Sequence, residues 1–470
     1  MKYFMIAILT WASLLSHAEG EHFASVGPIT ALGQLESSHN LNMRPHLRPF
    51  DIRRWQTKAG TSVMFVRADD VPMLDMRVVF NAGAARDADQ PGLAYTLSNM
   101  MFQGTEKQTA AEIAATFERM GAQFSSSSAR DMALVELRTL TDPQYMDAVL
   151  QEFTLAATQP KFREEDFQRV RNQELVGLKQ MLQSPGAQAT KLFWSTLYAH
   201  SPYATLPQGD LPSLQQMKPA DIEAFFRRYY NAHNAILVMV GAIDEAKARS
   251  ISETFTASLP EGVAAPALPD QLPLAKAENV HLEFPSEQTH ILMGGLGIRR
   301  DNPDYYALSV GNEILGGGGF SSWLTREIRV KRGYSYSVAS YFIPMQATGP
   351  WMISMQTRND QTQAALQVTH DVIDAFLKEG PTAAELQETK DQVVGGYPLS
   401  LASNYSILGN LAAMGFYHLP ADFLEHYPDA IEAVTLAQVK DAMKRHVRQD
   451  TWVTVTVGLT TAKHDTPPQP

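Results

Sequence analysis

Three polar side chains with the spacing of one helix face lie in the stretch Pro91–Gly104. The first residue of this stretch is typical of the first turn of a helix and the last is typical of a helix end. On the predicted helix, Tyr95 and Asn99 lie one turn apart on a common face, with Ser98 beside them. None of these three side chains offers an imidazole nitrogen or a carboxylate oxygen, the groups that zinc prefers where there is no cysteine. We therefore expect this face to hold no zinc.

A second group of residues suited to chemistry follows a run of four glycines within Gly311–Phe342. Because glycine has no side chain, another chain can approach its backbone closely. No G-K-[ST] follows the run and no Rossmann spacing surrounds it, so nucleotide binding is not favoured. Beyond the run the sequence predicts a helix that ends at Gly333 and a strand over Tyr334–Phe342. We expect substrate contacts at the four glycines, Gly316, Gly317, Gly318 and Gly319.

The predicted helix and strand carry Arg329 and Tyr336, seven residues apart. A guanidinium and a phenol can both donate to a carbonyl oxygen and to the oxyanion that it becomes during hydrolysis. The spacing alone leaves an equally good structural alternative. In that alternative Arg329 pairs with Glu327 or another acid, and Tyr336 is a half-buried aromatic residue of the strand.

Composition limits the kinds of function that this chain can have. Its 470 residues are 44% apolar and 19% charged, which indicates a globular protein with room for two to four domains. The 39 basic and 50 acidic residues give a net charge of −11, which argues against binding to nucleic acid or to a membrane through basic clusters. There is no cysteine, so disulfides, thiolate zinc sites and cysteine nucleophiles are excluded.

The first residues of the chain have the pattern of a secretory signal peptide. Lys2 precedes a mainly apolar run over Tyr3–Leu15, which is too short to span a membrane. A small-x-small cleavage pattern ends at Ala18. An exported protein without cysteine suits a bacterial periplasm, where stray thiols would be oxidised. We therefore expect a periplasmic protein of a Gram-negative bacterium and no membrane span.

The elements that must position these residues alternate between strand and helix patterns. In the first half, the predicted strands are Thr61–Val66, Asp75–Phe80, Glu136–Leu140 and Ala235–Val240. The predicted helices there are Gln108–Met120, Pro143–Ala157, Glu164–Leu182 and Ala220–Tyr230.

Parts of this pattern recur after a proline-rich stretch. Phe167–Gln173 has a counterpart in Leu386–Gln392, at an offset of 219, and the helix and strand that close the first half recur at a similar offset. A near-constant offset over separated segments predicts two homologous α+β halves. The expected organisation is a signal peptide, an N-terminal extension, a first domain, a Pro-rich linker, a second domain and a disordered tail, over residues 1–18, 19–45, 46–259, 260–275, 276–462 and 463–470.

The first helix resembles the signature helix of the insulinase/pitrilysin superfamily of zinc peptidases, which includes the mitochondrial processing peptidases. That signature reads G-L-A-H-x-x-E-H-M-x-F-x-G-T, and its frame fits residues 92–105 of this chain. The resemblance implies that Tyr95 and Asn99 stand at the positions of the zinc histidines and Ser98 at that of the general-base glutamate. It also implies two domains, each a mostly antiparallel sheet flanked by helices, in the LuxS/processing-peptidase-like metallohydrolase fold.

The second half resembles the same superfamily more strongly. Its members carry G-G-G-x-x-S-x-L-x-x-x-[LI]-R-x-x-x-G-x-x-Y-S in the second domain, and residues 317–337 fall in that register. The resemblance implies that Arg329 and Tyr336 reach the substrate backbone near the zinc across the closed clamshell. Next to and within this pattern, three residues differ from those that the superfamily often has. Gly316 stands where leucine is common, Trp323 where arginine is common and Thr325 where an aromatic residue is common. These differences affect the expected fine contacts with substrate and not the register.

The resemblance also draws attention to Glu174, which lies 75 residues past Asn99, where the superfamily keeps its third zinc ligand. Two interpretations stay open for this residue. It is either an orphaned ligand or an ordinary solvated residue of a helix.

Taken together, these expectations describe a zinc-less, non-autonomous subunit of a heterodimeric periplasmic metallopeptidase. A homologous partner chain with H-x-x-E-H is expected to hold the zinc, while this chain supplies Arg329 and Tyr336 in trans and holds no cofactor itself. Extended peptides are the expected substrates.

Two alternatives belong to other functional classes. The chain is a catalytically inactive peptide-binding or assembly protein that retains only the fold, or it is a self-sufficient hydrolase with some other apparatus. For the second alternative, stretches such as His200-Ser201-Pro202 are too common to indicate a catalytic triad.

Overall fold

The computed structural model describes residues 50–199 and 201–460. The predicted signal peptide, the N-terminal extension to residue 45 and the tail from residue 463 lie outside these residues. The described part confirms the predicted fold class, because it contains two mostly antiparallel sheets flanked by helices. Between the two halves, residues 260–274 form neither helix nor strand.

The first half is built on a six-stranded sheet in the order β1-β2-β6-β3-β5-β4. Only the β2–β6 pair within it is parallel. The fifth strand shows why these residues form a sheet, since buried side chains alternate along it with half-exposed or exposed ones. The strands are β1 Arg53–Gln56, β2 Ser62–Arg67, β3 Met73–Phe80, β4 Gln123–Ser128, β5 Ala133–Leu140 and β6 Ala235–Gly241.

Eight helices belong to the first half of the described chain, and most lie close to their predicted positions. The second of them begins with a capping box, in which Thr109 and Glu112 satisfy each other's backbone N–H groups. The helices are α1 Leu93–Met100, α2 Ala110–Arg119, α3 Met146–Thr158, α4 Glu164–Met181, α5 Pro185–Leu197, α6 Leu211–Gln216, α7 Pro219–Tyr229 and α8 Glu245–Ala257.

The second half repeats the first sheet without its outermost strand. Its five strands are ordered β7-β11-β8-β10-β9, again with one parallel pair, between β7 and β11. Each strand therefore has a counterpart among β2, β6, β3, β5 and β4, and β1 has none. The strands are β7 Glu278–Glu283, β8 Gln288–Leu296, β9 Val338–Phe342, β10 Pro350–Arg358 and β11 Val453–Gly458.

The helices of the second half follow the same plan. The helices α5 and α12 start at residues 185 and 404, a difference of 219, which equals the offset read from the sequence. The helices are α9 Tyr305–Asn312, α10 Thr362–Glu379, α11 Ala383–Gly396, α12 Asn404–Phe416, α13 Phe423–Glu432 and α14 Leu436–His446, with π-helical turns over Glu313–Gly317 and Thr325–Val330.

The two halves exchange one helix each, which the sequence did not reveal. Helix α5 of the first half packs on β8 and β11 of the second sheet, where Phe193 and Trp194 join a core with Val455. Helix α12 of the second half packs on β3 and β6 of the first sheet, where Leu411 contacts a core that contains Val238. Each half thus completes the hydrophobic core of the other, so the two cannot separate without exposing apolar surface.

A buried carboxylate adds a polar junction between the halves. Asp131, 4% exposed, accepts hydrogen bonds from the hydroxyl of Tyr203 and from two groups of the second half. These are the backbone N–H of Gln346, at 2.7 Å, and the hydroxyl of Tyr417, at 3.3 Å. Burial raises the pKa of this carboxyl, and the hydrogen bonds oppose that rise.

No helix in residues 50–199 and 201–460 has both the length and the apolar character that a membrane span requires.

Candidate functional site

Helix α1 is held at its start by a side chain outside the helix. The residue before its first turn is Gly92, whose φ of 101° lies in the left-handed region, and glycine has no capping side chain. The buried carboxylate of Asp87 takes that role, since it accepts hydrogen bonds from the N–H groups of Gly92, at 2.7 Å, and Ala94, at 2.8 Å. Burial raises the pKa of Asp87 to about 7, although both hydrogen bonds lower it.

The end of helix α1 differs from the sequence-based expectation. The helix runs from Leu93 to Met100, so Pro91 lies before it and Gly104 lies four residues beyond its end. The left-handed residue that ends the helix is Phe102, with φ of 62°. Its ring packs against those of Phe124 and Phe153, with centroids at 4.6 and 5.9 Å, and this packing fixes a conformation that a bulky residue rarely adopts.

The predicted polar face of α1 is present, and its side chains form hydrogen bonds with α4. The amide of Asn99 donates to one oxygen of Glu174 at 2.7 Å, and the hydroxyl of Thr96 donates to the other at 2.8 Å. Ser98 is buried, and its hydroxyl donates to the backbone carbonyl of Tyr95 in the same helix. The amide of Asn99 and the hydroxyls of Thr96 and Ser98 all donate hydrogen bonds, so none of these three groups is arranged as a ligand or a general base.

Glu174 is not a solvated helix residue, so that interpretation of the sequence is wrong. Its exposed fraction is 9%, and burial raises the pKa of its carboxyl against the opposing hydrogen bonds from Asn99 and Thr96. The structure brings it next to Asn99, and its interpretation as an orphaned third ligand stays a prediction.

A cavity of about 450 Å³ opens beside this cluster. Helix α1 contributes Tyr95 and Asn99, and helix α4 contributes residues one turn apart along one face. The full lining is Tyr95, Asn99, Gln103, Val170, Gln173, Glu174, Gly177, Leu178, Met181 and Gln208. All of these residues belong to the first half.

The residues at this cavity do not fit zinc. Asn99 turns its amide N–H toward Glu174, and Tyr95 offers a phenol oxygen in place of an imidazole nitrogen or a carboxylate oxygen. Within residues 50–199 and 201–460, no three His, Asp or Glu side chains come together as a metal-binding group. A single carboxylate does not make up the set of ligands that zinc requires.

Strand β4 lies next to α1 and forms a free edge of the first sheet. It pairs with β5 on one side and with no other described strand on its second side. Four consecutive serines, Ser125–Ser128, follow Phe124, so the edge carries small polar side chains. An unpaired row of backbone N–H and C=O groups can accept an extended peptide as an added strand.

The glycine run of the second half is mainly a packing device. Gly316 is buried, and a Cβ atom there would lie 2.5 Å from the hydroxyl oxygen of Ser340 in β9. The predicted contact between Gly316 and substrate is therefore wrong. Gly317 and Gly319 are exposed, with Gly318 half-buried, and for these three the predicted substrate contact stays a prediction.

Arg329 lies in the π-helical turn Thr325–Val330, and the structural alternative for it is wrong. Glu327, the acid proposed as its partner, instead pairs with Lys331 at 2.7 Å and Arg332 at 2.9 Å. The guanidinium of Arg329 lies 4.5 Å from the ring centroid of Phe320 and has no hydrogen-bond or salt-bridge partner in the described part of the chain. It is therefore available to another molecule.

Tyr336 lies in a loop, because β9 begins at Val338 and not at Tyr334 as predicted. The strand starts late because Ser335 folds the chain into a turn, in which its hydroxyl accepts from the N–H of Ser337 and donates to the carbonyl of the same residue. Tyr336 is 86% exposed, so it is not the half-buried strand aromatic of the structural alternative.

The chain does not bring its two candidate regions together. The cavity beside Glu174 is lined by first-half residues, and neither Arg329 nor Tyr336 is among them. Sequence reasoning missed Thr96 and Asp87, which hold the polar face in place. A signal for Asp87 was present in the sequence. The predicted helix begins without an N-cap side chain, and Asp87 is an acidic residue shortly before it that can take this role.

Comparison with known families finds matches in both halves. Residues 63–205 match the model described as insulinase (peptidase family M16), and residues 216–393 match that of the peptidase M16 inactive domain. The solved structure of a peptidase M16 inactive domain from Pseudomonas fluorescens is 38% identical, with a TM-score of 0.85 over 88% of this chain and 99% of that one. A protease from Helicobacter pylori has a TM-score of 0.80 at 19% identity, over 87% of this chain and 100% of that one.

Curated relatives carry two kinds of name. A protein of Bacillus subtilis called uncharacterized zinc protease YmxG is 23% identical over 76% of this chain and 86% of its own length. A protein of Helicobacter pylori called non-peptidase homolog YmxG is 23% identical over 83% of this chain and 90% of its own length.

Proposed function

Because the chain belongs to the M16 (insulinase) family of peptidases, we propose that it is a zinc-less subunit of a two-chain periplasmic metallopeptidase. A homologous partner with an intact H-x-x-E-H helix would hold the zinc. This chain would supply Arg329, Tyr336 and one wall of the chamber that holds the peptide. It would not cleave peptides alone.

The observation that carries the proposal is that the polar side chains of the first site are hydrogen-bonded to one another, whereas those of the second site are not. At the position of the zinc ligands, the polar side chains are hydrogen-bonded to one another, as in the 2.7 Å contact from Asn99 to Glu174. At the second site, Arg329 lacks an ionic partner in the described part of the chain and Tyr336 is 86% exposed. An unpaired cation and an exposed phenol contribute little to the fold, which favours a role toward another molecule.

The chemistry of Arg329 and Tyr336 suits peptide hydrolysis. The guanidinium and the phenol are hydrogen-bond donors, and both can bind a scissile carbonyl oxygen and the negative charge that develops on it. Stacking on Phe320 limits the positions of the guanidinium, so less conformational entropy is lost when substrate binds. The free edge of β4 supports the same proposal, since it can add an extended peptide as a strand.

The test is reconstitution with the partner. The chain is mixed with a homologous subunit that carries H-x-x-E-H, and cleavage of a quenched fluorescent peptide is measured. We expect Arg329→Ala to lower kcat by about 10²-fold, in the range seen when one donor to an oxyanion is removed. Arg332→Ala is the matched control, because Arg332 lies near the same turn and is tied to Glu327.

Equal turnover by the Arg329 variant and the wild-type complex would remove the in-trans role. Cleavage by the isolated chain that chelators abolish would also contradict the proposal.

A second candidate function is an inactive peptide-binding or assembly protein with the peptidase fold. The name non-peptidase homolog, given to the Helicobacter pylori relative, favours it. A stable complex with the partner that cleaves no peptide, with Arg329→Ala binding as well as wild type, would support this second function.

A further inference from the structure

The cavity beside α1 contains a carboxylate without a counter-ion. Each oxygen of Glu174 accepts one hydrogen bond, from Asn99 or Thr96, although an ionised carboxylate can accept about four. No described Lys, Arg or His pairs with it. Arg169, on the same helix, donates instead to Gln103, at 2.7 Å, and to Asp166. Capacity for two further donors therefore remains on an acidic group that is 9% exposed.

The shape of the cavity suits a long side chain with a polar end. Val170, Leu178 and Met181 supply apolar wall along α4, and Tyr95 lines the same space. Gly177 leaves the entrance open, since a Cβ atom built there would meet nothing within 4 Å. A volume of about 450 Å³ exceeds what one amino-acid side chain occupies.

We propose that this cavity binds the side chain of a lysine or arginine, with its aliphatic stem on the apolar wall and its cation on Glu174. Lys and Arg bury their methylene stems against apolar surface while the charged end finds polar partners. Amide groups of Gln173 and Gln208 at the rim offer carbonyl oxygens to the same donors. The position that holds a metal cation in the family would here hold an organic cation.

The basic side chain would come from a peptide bound along the edge of β4. This part of the proposal rests on the proposed function. Helix α1 lines the cavity through Tyr95 and Asn99 and also packs on β4. A peptide added to this edge would pass close to the cavity, and one basic residue could turn into it. Peptides with a basic residue would then be preferred over otherwise identical neutral ones.

The cavity is tested first with small probes, independently of peptide binding. Saturation-transfer NMR on the full chain measures n-butylammonium and n-butylguanidinium against 1-butanol and butanoate. We expect the two cations to bind with about millimolar affinity and the neutral and anionic probes to bind at least about tenfold more weakly. Equal binding of 1-butanol and the cations would overturn the proposal.

Two variants locate the binding. Glu174→Gln keeps the size of the side chain and removes its charge, and should weaken binding of the cations by about tenfold or more. Gly177→Phe fills the entrance and should abolish the signal, whereas Val176→Phe, on the exposed neighbouring residue, should leave it unchanged. If cations still bind to both the Glu174 and the Gly177 variants as to wild type, the site lies elsewhere and the proposal fails.

Two extended peptides that differ only in one residue, Lys or Gln, then test the substrate class by fluorescence anisotropy. We expect the Lys peptide to bind about tenfold more tightly, and Gly177→Phe to remove that difference. Binding of both peptides with equal affinity would contradict the basic preference and leave peptide binding in place. Binding of neither peptide, with the small cations still bound, would contradict the proposed function and leave the cation site in place.

Discussion

The two halves of the molecule share a sheet topology and differ in how their polar residues are used. In the first half, Asn99 and Thr96 turn inward to Glu174, and the resulting cluster joins α1 to α4. In the second half, Arg329 on a π-helical turn is half-buried and has no ionic partner in the described residues, and Tyr336 in the loop after it is exposed. The hydrogen bonds of the first cluster stabilise the packing of α1 on α4, although Glu174 keeps capacity for further donors, whereas Arg329 and Tyr336 are free to bind another molecule.

At the first site, close packing between two helices is combined with side chains that do not suit zinc. The positions of the expected ligands remain close together, because the same helices still pack on each other. The side chains there include an amide and a phenol, whereas zinc binds imidazole nitrogen or carboxylate oxygen. The comparison therefore predicts that geometry survives at the first site and that only ligand type is missing.

The largest expected effect is the return of zinc binding. In the double variant Tyr95→His/Asn99→His, two imidazoles would join Glu174, whose oxygen lies 2.7 Å from the present amide nitrogen of Asn99. We expect a dissociation constant for zinc of about 1 μM or lower, or about 8 kcal/mol of binding free energy. The measurement is metal content after dialysis, followed by competition with a chromogenic chelator.

Tyr95→His alone is the matched control, because one histidine and one carboxylate do not complete a zinc site. A double variant that folds like wild type by circular dichroism and still takes up no zinc would show that the geometry of the first site has also been lost.

A smaller effect concerns how stability depends on pH, and it distinguishes the two carboxylates that precede the equivalent helices α1 and α9. Asp87 is buried, and burial raises its pKa to about 7. Hydrogen bonds from Arg445 lower the pKa of Asp304, and a hydrogen bond from the ring of His446 adds to this lowering. Opposite shifts predict opposite dependences of stability on pH.

The folded state binds the Asp87 proton more tightly than the unfolded chain does. Its contribution to the free energy of unfolding is therefore greatest below about pH 4 and falls, by up to about 4 kcal/mol, as the pH rises to about 7. For Asp304 the stabilising contribution is present above about pH 4 and is lost as the pH falls through the lowered folded-state pKa.

Urea titrations of wild type, Asp87→Asn and Asp304→Asn from pH 3 to pH 8 measure these slopes. The stability of wild type relative to Asp87→Asn should decrease with rising pH, and that relative to Asp304→Asn should increase. If the two stability differences changed with pH in the same direction, the opposite pKa shifts assigned to Asp87 and Asp304 would be wrong.

The sequence predicted the fold from features that depend on local pattern. The alternation of Glu136–Leu140 identified a strand, and the offset of 219 between Phe167 and Leu386 identified the repeat. It also placed Tyr95 and Asn99 on one helix face, which lines the cavity.

Long-range features could not be predicted in this way. The exchange of α5 and α12 depends on which sheet each amphipathic helix meets, and periodicity is the same in either case. The end of α1 at Phe102 depends on rings that lie 22 and 51 residues further along the chain, at Phe124 and Phe153. The burial of Glu174 depends on Asn99, 75 residues before it.

The smallest expected effect compares two glycines at equivalent places in the repeat. Gly177 of α4 and Gly396 of α11 are separated by the offset of 219, and a Cβ atom at either would meet nothing within 4 Å. Gly177 lies inside its helix and Gly396 is the last residue of its own. Gly177→Ala should therefore raise the free energy of unfolding by about 1 kcal/mol, and Gly396→Ala by less, because helix propensity counts most in a helix interior. If urea unfolding gave the same gain in the free energy of unfolding for both variants, Gly396 would also lie in a helix interior in solution, which would contradict this prediction.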